Sequence, residues 1–123
     1  MKNILVIDDE KLISNMLKVV LEDKGHSVRG FSNPLEGEQE AIHNNYDYIF
    51  LDINMPEKNG SEITQTIIKA KPDSKIIIIT AFPTEPLTLE ALKEGAFSVV
   101  AKPLTLKKIL NLINGNIMED MNE

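Results

Sequence analysis

The sequence predicts an α/β fold, a doubly wound parallel sheet of five strands in the order 2-1-3-4-5 carrying five helices. Three observations lead there. Four short runs are apolar without polar alternation, which is how strands buried on both faces read. Stretches with the three- and four-residue spacing of amphipathic helices separate them. The connections are short, so strand and helix must alternate, and such alternation requires parallel strands with right-handed crossovers. The 123 residues, 42% of them hydrophobic, fit one domain with its own core.

Taken in order, Ile4-Leu5-Val6-Ile7 is the first strand. Leu12, Ile13, Met16, Leu17, Val20 and Leu21 form the stripe of a first helix, which Gly25 stops. Ser27 to Phe31 alternates Ser27, Arg29 and Phe31 against Val28 and Gly30, as an edge strand with one wet face would. Asn33-Pro34 places a capping side chain before a proline at the first helical position and opens a second helix to about Asn44. Tyr48-Ile49-Phe50-Leu51 is the third strand, and Ser61 to Ala70 the third helix, stopped by Pro72. Ile76 to Ile79 is the fourth strand, and Pro86 to Glu94 a helix ended by Gly95. Val99-Val100-Ala101 is the last strand. Thr105 then caps a fifth helix bearing Leu106, Ile109, Leu110 and Ile113. Asn114-Gly115-Asn116 should fray that helix, leaving 115–123 as a surface tail or the start of a linker within a single domain of 1–123. At this length the flavodoxin-like order is the expected one.

Composition excludes several functions. Nineteen acidic residues against 13 basic ones give a net charge of −6, which disfavours direct binding to nucleic acid or anionic membrane. There are no cysteines and only two histidines, His26 and His43, so thiolate chemistry, disulfides and a multi-histidine metal cage are excluded. No apolar run approaches the ~20 residues of a membrane span, and the run after Met1-Lys2 is too short for a signal-peptide core. These features lead us to expect a soluble cytoplasmic protein.

The polar residues that follow the strands point to a site, because parallel strands deliver all their carboxyl ends to one edge, where such folds bind ligands. Asp8-Asp9-Glu10 follows the first strand, Asp52 ends the third, Thr80 the fourth, and Lys102-Pro103 the fifth. Converging carboxylates raise one another's pKa unless a cation neutralises them. Magnesium takes oxygen ligands and works with one or two carboxylates and a phosphoryl oxygen. Lys102 offers a mobile positive charge and Thr80 a hydroxyl. A carboxylate such as Asp52 can itself be the nucleophile, forming an aspartyl phosphate.

Four ordered motifs, Val6-Ile7-Asp8-Asp9-Glu10, Leu51-Asp52-Ile53-Asn54-Met55-Pro56 with Gly60 four residues on, Ile79-Thr80-Ala81 and Ala101-Lys102-Pro103, resemble the receiver domain of two-component response regulators over essentially the whole chain. The resemblance implies Asp52 as phosphoacceptor and Asp9 as a direct magnesium ligand. It further implies that Asp8 holds the metal through water and that the Asn54 backbone carbonyl completes the protein ligands, which include Asp52. Thr80 and Lys102 would each bind a phosphoryl oxygen, and Pro103 is a candidate cis proline, although X–Pro bonds are usually trans. A histidine kinase or histidine phosphotransferase would donate the phosphoryl group, and the domain would catalyse its own phosphotransfer and autodephosphorylation. The face of helix 4, strand 5 and helix 5 would signal to a downstream protein or output domain, from a monomer or a phosphorylation-dependent dimer.

Two departures from the family pattern stand out. Val99 occupies the position three residues before the lysine that often carries an aromatic ring, so the resemblance does not extend to output by an aromatic swing. Pro83 and Pro86 flank the start of helix 4, which should be pinned or shortened. Gly60 and Asn54 could simply serve the loop, Phe82 could shield an acyl phosphate or pack, and Lys107-Lys108 reads as a solvated face. His26 and His43 lie far from the crevice in sequence order. Two other functions compete: a haloacid-dehalogenase-type phosphohydrolase, which wants a second Asp where Asn54 stands, and a degenerate receiver acting only as an interaction module, which would normally have lost a carboxylate or the lysine.

Overall fold

The computed structural model describes residues 1–114, and the expected tail at 115–123 lies outside the described residues. Five parallel strands, β1 (Asn3–Ile7), β2 (Ser27–Phe31), β3 (Tyr48–Asp52), β4 (Lys75–Thr80) and β5 (Ser98–Ala101), stand in the order β2-β1-β3-β4-β5. They alternate with α1 (Lys11–Asp23), α2 (Pro34–His43), α3 (Gly60–Ala70), α4 (Pro86–Lys93) and α5 (Leu106–Asn114). The order and the element count are those expected from the sequence. Pairing runs Ile7 beside Leu51, Asp52 beside Ile79 and Thr80 beside Ala101, so the strands end nearly level along the carboxyl edge.

The side-chain period of two sorts the strands onto two cores. Ile4, Val6, Phe50, Ile77, Ile79 and Val100 face α1 and α5, meeting Leu17, Leu21, Ile109 and Leu112. Leu5, Ile7, Ile49, Leu51, Ile76 and Ile78 face α2, α3 and α4, meeting Ala41, Ile63, Ile67 and Ala91. Most of these side chains are completely shielded from solvent, which explains why the strands lack polar alternation.

Local signals place the helix ends. Asn33 accepts from Leu35 N and Glu36 N ahead of Pro34, and Thr105 Oγ1 accepts from Lys108 N. The third helix starts one residue earlier than expected because Asn59 and Glu62 form a reciprocal capping box. Gly25 and Gly95 adopt the left-handed conformation that closes α1 and α4. α4 begins at Pro86 and has only eight residues, as the prolines suggested.

Three readings need correction. Leu12 fits the apolar spacing of α1 but is 80% exposed, because it stands about 2.5 turns before the buried Leu21 and so on the opposite side of the helix. Lys108 is not simply a solvated side chain, since its Nζ reaches back to the carbonyls of Ala101 and Pro103, at 3.2 and 3.4 Å. Gly60 keeps an ordinary negative φ and is needed for space. A Cβ there would lie 2.8 Å from Ile53 Cα and 3.0 Å from the Asp52 carbonyl oxygen.

Candidate functional site

β1 and β3 are neighbours whose following helices leave on opposite faces of the sheet, which opens a crevice at their carboxyl ends. Asp8 and Asp52 stand in it, 0% and 5% exposed. The two carboxylates are held alike. Asp8 Oδ1 accepts from Glu10 N at 2.8 Å and Asp52 Oδ1 from Asn54 N at 3.3 Å, the local turn that Asp side chains favour. Each therefore keeps its second oxygen for the crevice. Lys102 Nζ lies 3.5 Å from Asp8 Oδ2 and 4.0 Å from Asp52 Oδ2.

Asp9 is exposed at the rim, yet one carboxylate oxygen from each of Asp8, Asp9 and Asp52 falls within 4.8 Å of the others. Asp8 Oδ2 is buried and makes no hydrogen bond, which is costly unless a cation satisfies it. Three hard oxygen donors, one of them a buried oxygen that has an ion pair to Lys102 at 3.5 Å but no hydrogen bond, suit a magnesium-like ion.

The electrostatics agree. Burial foremost, with the Asp8 charge next, pushes Asp52 up to about 7, against the opposing pull of Lys102 and the Asn54 amide. Burial also raises Asp8, and the Glu10 amide and Lys102 only partly offset it. For Lys102, burial acts to lower the pKa, but the hydrogen bond to Glu10 and the charges of Asp52 and Asp8 outweigh it, so the ammonium is held more firmly than usual.

Thr80 ends β4 and is 1% exposed. Its Oγ1 accepts from Phe82 N at 3.0 Å, while its carbonyl accepts from Lys102 N at 2.7 Å, so β4 and β5 position Thr80 and Lys102 together. The Lys102–Pro103 bond is cis. Phe82 is 62% exposed and packs in no core. Its carbonyl accepts from Thr88 Oγ1 and Glu85 N, linking Thr80 to the start of α4. Val99 lies in the second core, 8% exposed. His26 sits at the other end of the sheet, where its Nδ1 accepts from Lys2 N.

Two participants were given no role by sequence reasoning: Glu10, placed at the crevice with Asp8 and Asp9, and Glu85. Glu10 Oε1 accepts from Lys102 Nζ at 2.7 Å, a shorter contact than Lys102 makes with either buried Asp. Glu85 Oε1 accepts from Asn54 Nδ2 at 2.8 Å, tying the loop after β3 to the start of α4 across 31 positions. The acidic run at residues 8–10 was a visible signal for Glu10, whereas nothing in the sequence pairs Asn54 with Glu85.

Comparison with known proteins follows the geometry. The chain is 31% identical over 114 residues to the chemotaxis protein CheY of Thermotoga maritima, covering 92% of this chain and 95% of that one. It is 33% identical over 110 residues to the DNA-binding transcriptional regulator NtrC of Azospirillum brasilense, but spans 23% of that protein's length and 55% of the Bacillus subtilis transcriptional regulator YkoG. A CheY-like receiver domain protein from Methanospirillum hungatei superposes with a TM-score of 0.89 at 25% identity, over 99% of this chain and 98% of that one. A receiver domain protein from Clostridium thermocellum superposes at 0.84 with 33% identity, over 97% and 96%. The family model described as the response regulator receiver domain matches residues 4–114, from the first core residue of β1 to the end of α5, and this chain belongs to that family.

Proposed function

We propose that Asp52 accepts a phosphoryl group and that the modified domain signals through the face formed by α4, β5 and α5. A phosphorylation-dependent switch is general for receiver domains, which also generally bind Mg2+ at an acidic pocket. The observation that carries the assignment is the buried Asp52 carboxylate, whose Oδ2 lies 4.0 Å from Lys102 Nζ and which clusters with Asp8 and Asp9 at the switch point of the sheet.

In this reading Asp52 Oδ2 attacks phosphorus, an O–P bond forms, and the bond to the donor's leaving atom breaks. For a phosphohistidine donated by a histidine kinase or histidine phosphotransferase, that leaving atom is an imidazole nitrogen, which then takes a proton. A bound magnesium, held by Asp9, Asp52 and the Asn54 carbonyl with Asp8 acting through water, would supply the positive charge that keeps Asp52 ionised and neutralises the phosphoryl oxygens. Lys102 meets one phosphoryl oxygen and Thr80 another. Water attack on phosphorus later returns the free carboxylate.

Phosphorylation replaces the single charge of the Asp52 carboxylate with a phosphoryl group of nearly two negative charges and new acceptors, favouring the state in which Thr80 turns from Phe82 N toward the phosphoryl oxygen. Release of that turn reaches α4 through the Phe82 carbonyl contacts and Glu85. Val99, branched and enclosed, has no ring to swing, so the signal travels chiefly by the Thr80 route. The chain's acidity argues for a protein reader rather than nucleic acid or membrane, and we place the switch in the cytoplasm. No helix among the described residues is long and apolar enough to cross a membrane. A phosphohydrolase of the haloacid-dehalogenase type is disfavoured, because Asn54 stands where a second acid would work and its amide is engaged by Glu85.

With acetyl phosphate and magnesium, intact-mass analysis should show one added phosphoryl group that Asp52→Asn abolishes. Equal labelling of that variant refutes the assignment. With beryllofluoride on Asp52, Thr80→Ala should lose the backbone amide response of α4 more completely than Val99→Ala.

A further inference from the structure

We propose that Glu10 is a positioning residue that parks the Lys102 ammonium away from the phosphoryl position, so that modification of Asp52 must draw Lys102 off a competing carboxylate. The inference rests on the roles of Asp52 and Lys102 given above. Lys102 Nζ lies 2.7 Å from Glu10 Oε1, 3.5 Å from Asp8 Oδ2 and 4.0 Å from Asp52 Oδ2, so its shortest contact is with Glu10 and its longest is with the phosphoacceptor.

The contact is not a by-product of helix capping. Glu10 holds the N-cap position of α1 but its side chain makes no capping hydrogen bond, and Glu is not among the side chains that cap well. The side chain instead crosses to a residue 92 positions away. Its backbone is held by the site itself, since Glu10 N donates to Asp8 Oδ1. The same buried carboxylate that approaches Lys102 thus also anchors the residue that holds Lys102 back.

The Glu10 side chain is 60% exposed and that of Lys102 15%, so the pair is partly screened by solvent and its grip is moderate. A moderate grip suits the role. A phosphoryl group of nearly two negative charges outcompetes one screened carboxylate, and Glu10 recaptures Lys102 once the phosphoryl group is gone. Glu10 thereby lowers the affinity of the switch for its activated state and holds the unmodified protein off.

The test is a beryllofluoride titration at magnesium concentrations shown to saturate each variant, read by amide shifts around Asp52. Removing Glu10 in Glu10→Ala should tighten beryllofluoride binding by about two- to fivefold, the range an exposed ion pair supports. The gain should shrink at high ionic strength. In a Lys102→Ala background, Glu10→Ala should change nothing. Unchanged or weaker binding in Glu10→Ala overturns the proposal, and so does a gain that persists without Lys102, which would mark a general effect of negative charge. If beryllofluoride fails to bind the unaltered protein, the phosphoacceptor reading itself falls and this proposal with it. Binding to the unaltered protein with no Glu10 effect removes this proposal alone.

Discussion

Ile49 and Phe50, in the middle of β3, are completely enclosed by apolar neighbours, while Asp52, two residues further along the same strand, is almost as buried and surrounded by charge. The first region gains free energy from burial, because apolar surface leaves water and nothing is left unpaired. The second loses it, because burial disfavours ionised carboxylates and Asp8 Oδ2 has no hydrogen bond. The difference teaches where stability and function reside. The two layers hold the fold, and the carboxyl edge holds a cluster the fold would be more stable without.

The comparison can be broken most severely in the layers. Phe50→Ala, fully buried in the first core, should cost ~3–5 kcal/mol in denaturant unfolding, a large share of a small domain's stability. A loss below about 1 kcal/mol would show that the layer is loosely packed.

Gly60→Ala probes the junction between the two regions. A Cβ 2.8 Å from Ile53 Cα must displace backbone, so we expect a loss of about 1–3 kcal/mol together with slower labelling by acetyl phosphate. Full stability and unchanged labelling would show that the loop after β3 yields freely.

Asp52→Asn should act in the opposite sense and raise the melting temperature of the metal-free protein at pH 8 by a few degrees, ~1 kcal/mol corresponding to roughly 4 °C at this size. The sign follows from linkage. Burial, with the Asp8 charge next, pushes Asp52 up to about 7 in the folded state against an ordinary 3.8, so the folded state binds the extra proton between those values. The stabilisation from protonation is fully present below 3.8 and is lost as pH rises through about 7. The raised Asp8 acts the same way. The advantage of Asp52→Asn should therefore fade toward pH 5, and magnesium should stabilise the unaltered protein more at pH 8 than at pH 5. A melting temperature that Asp52→Asn lowers at pH 8 would contradict the comparison.

The smallest effect concerns Glu57, which takes a φ of 74° in the loop after β3. Glu57→Gly relieves the left-handed conformation but adds freedom to the unfolded chain, so thermal melts should show a gain of roughly 0.5–1 kcal/mol. A loss would mean that the Glu57 side chain holds the loop.

Four of the strands were legible because burial on both faces leaves one pattern, an unbroken apolar run of three or four residues, and Ile76 to Ile79 shows it most plainly. Helix starts at Asn33 and Thr105 were legible because a cap is a local hydrogen bond. Leu12 was misread because it continues the three- and four-residue spacing at the margin of the stripe, where the helix has turned away from the side that buries Leu17 and Leu21. At the site, Asp8, Asp9, Asp52, Thr80 and Lys102 stood out because parallel strands ending in polar residues must present them at one edge.

The sequence by itself determined the alternation of elements and the set of residues delivered to the carboxyl edge, and chain length made the strand order the expected one. Only the tertiary structure decided which of those residues touch. Lys102 chooses Glu10 over Asp8 and Asp52, Asn54 chooses Glu85, and Gly60 is required by its approach to Ile53 rather than by its φ. The physical reason is range. Burial patterns and caps are written within a few residues of one another, whereas ion pairs across 92 positions, hydrogen bonds across 31 and clearances of tenths of an ångström exist only once the strands are side by side.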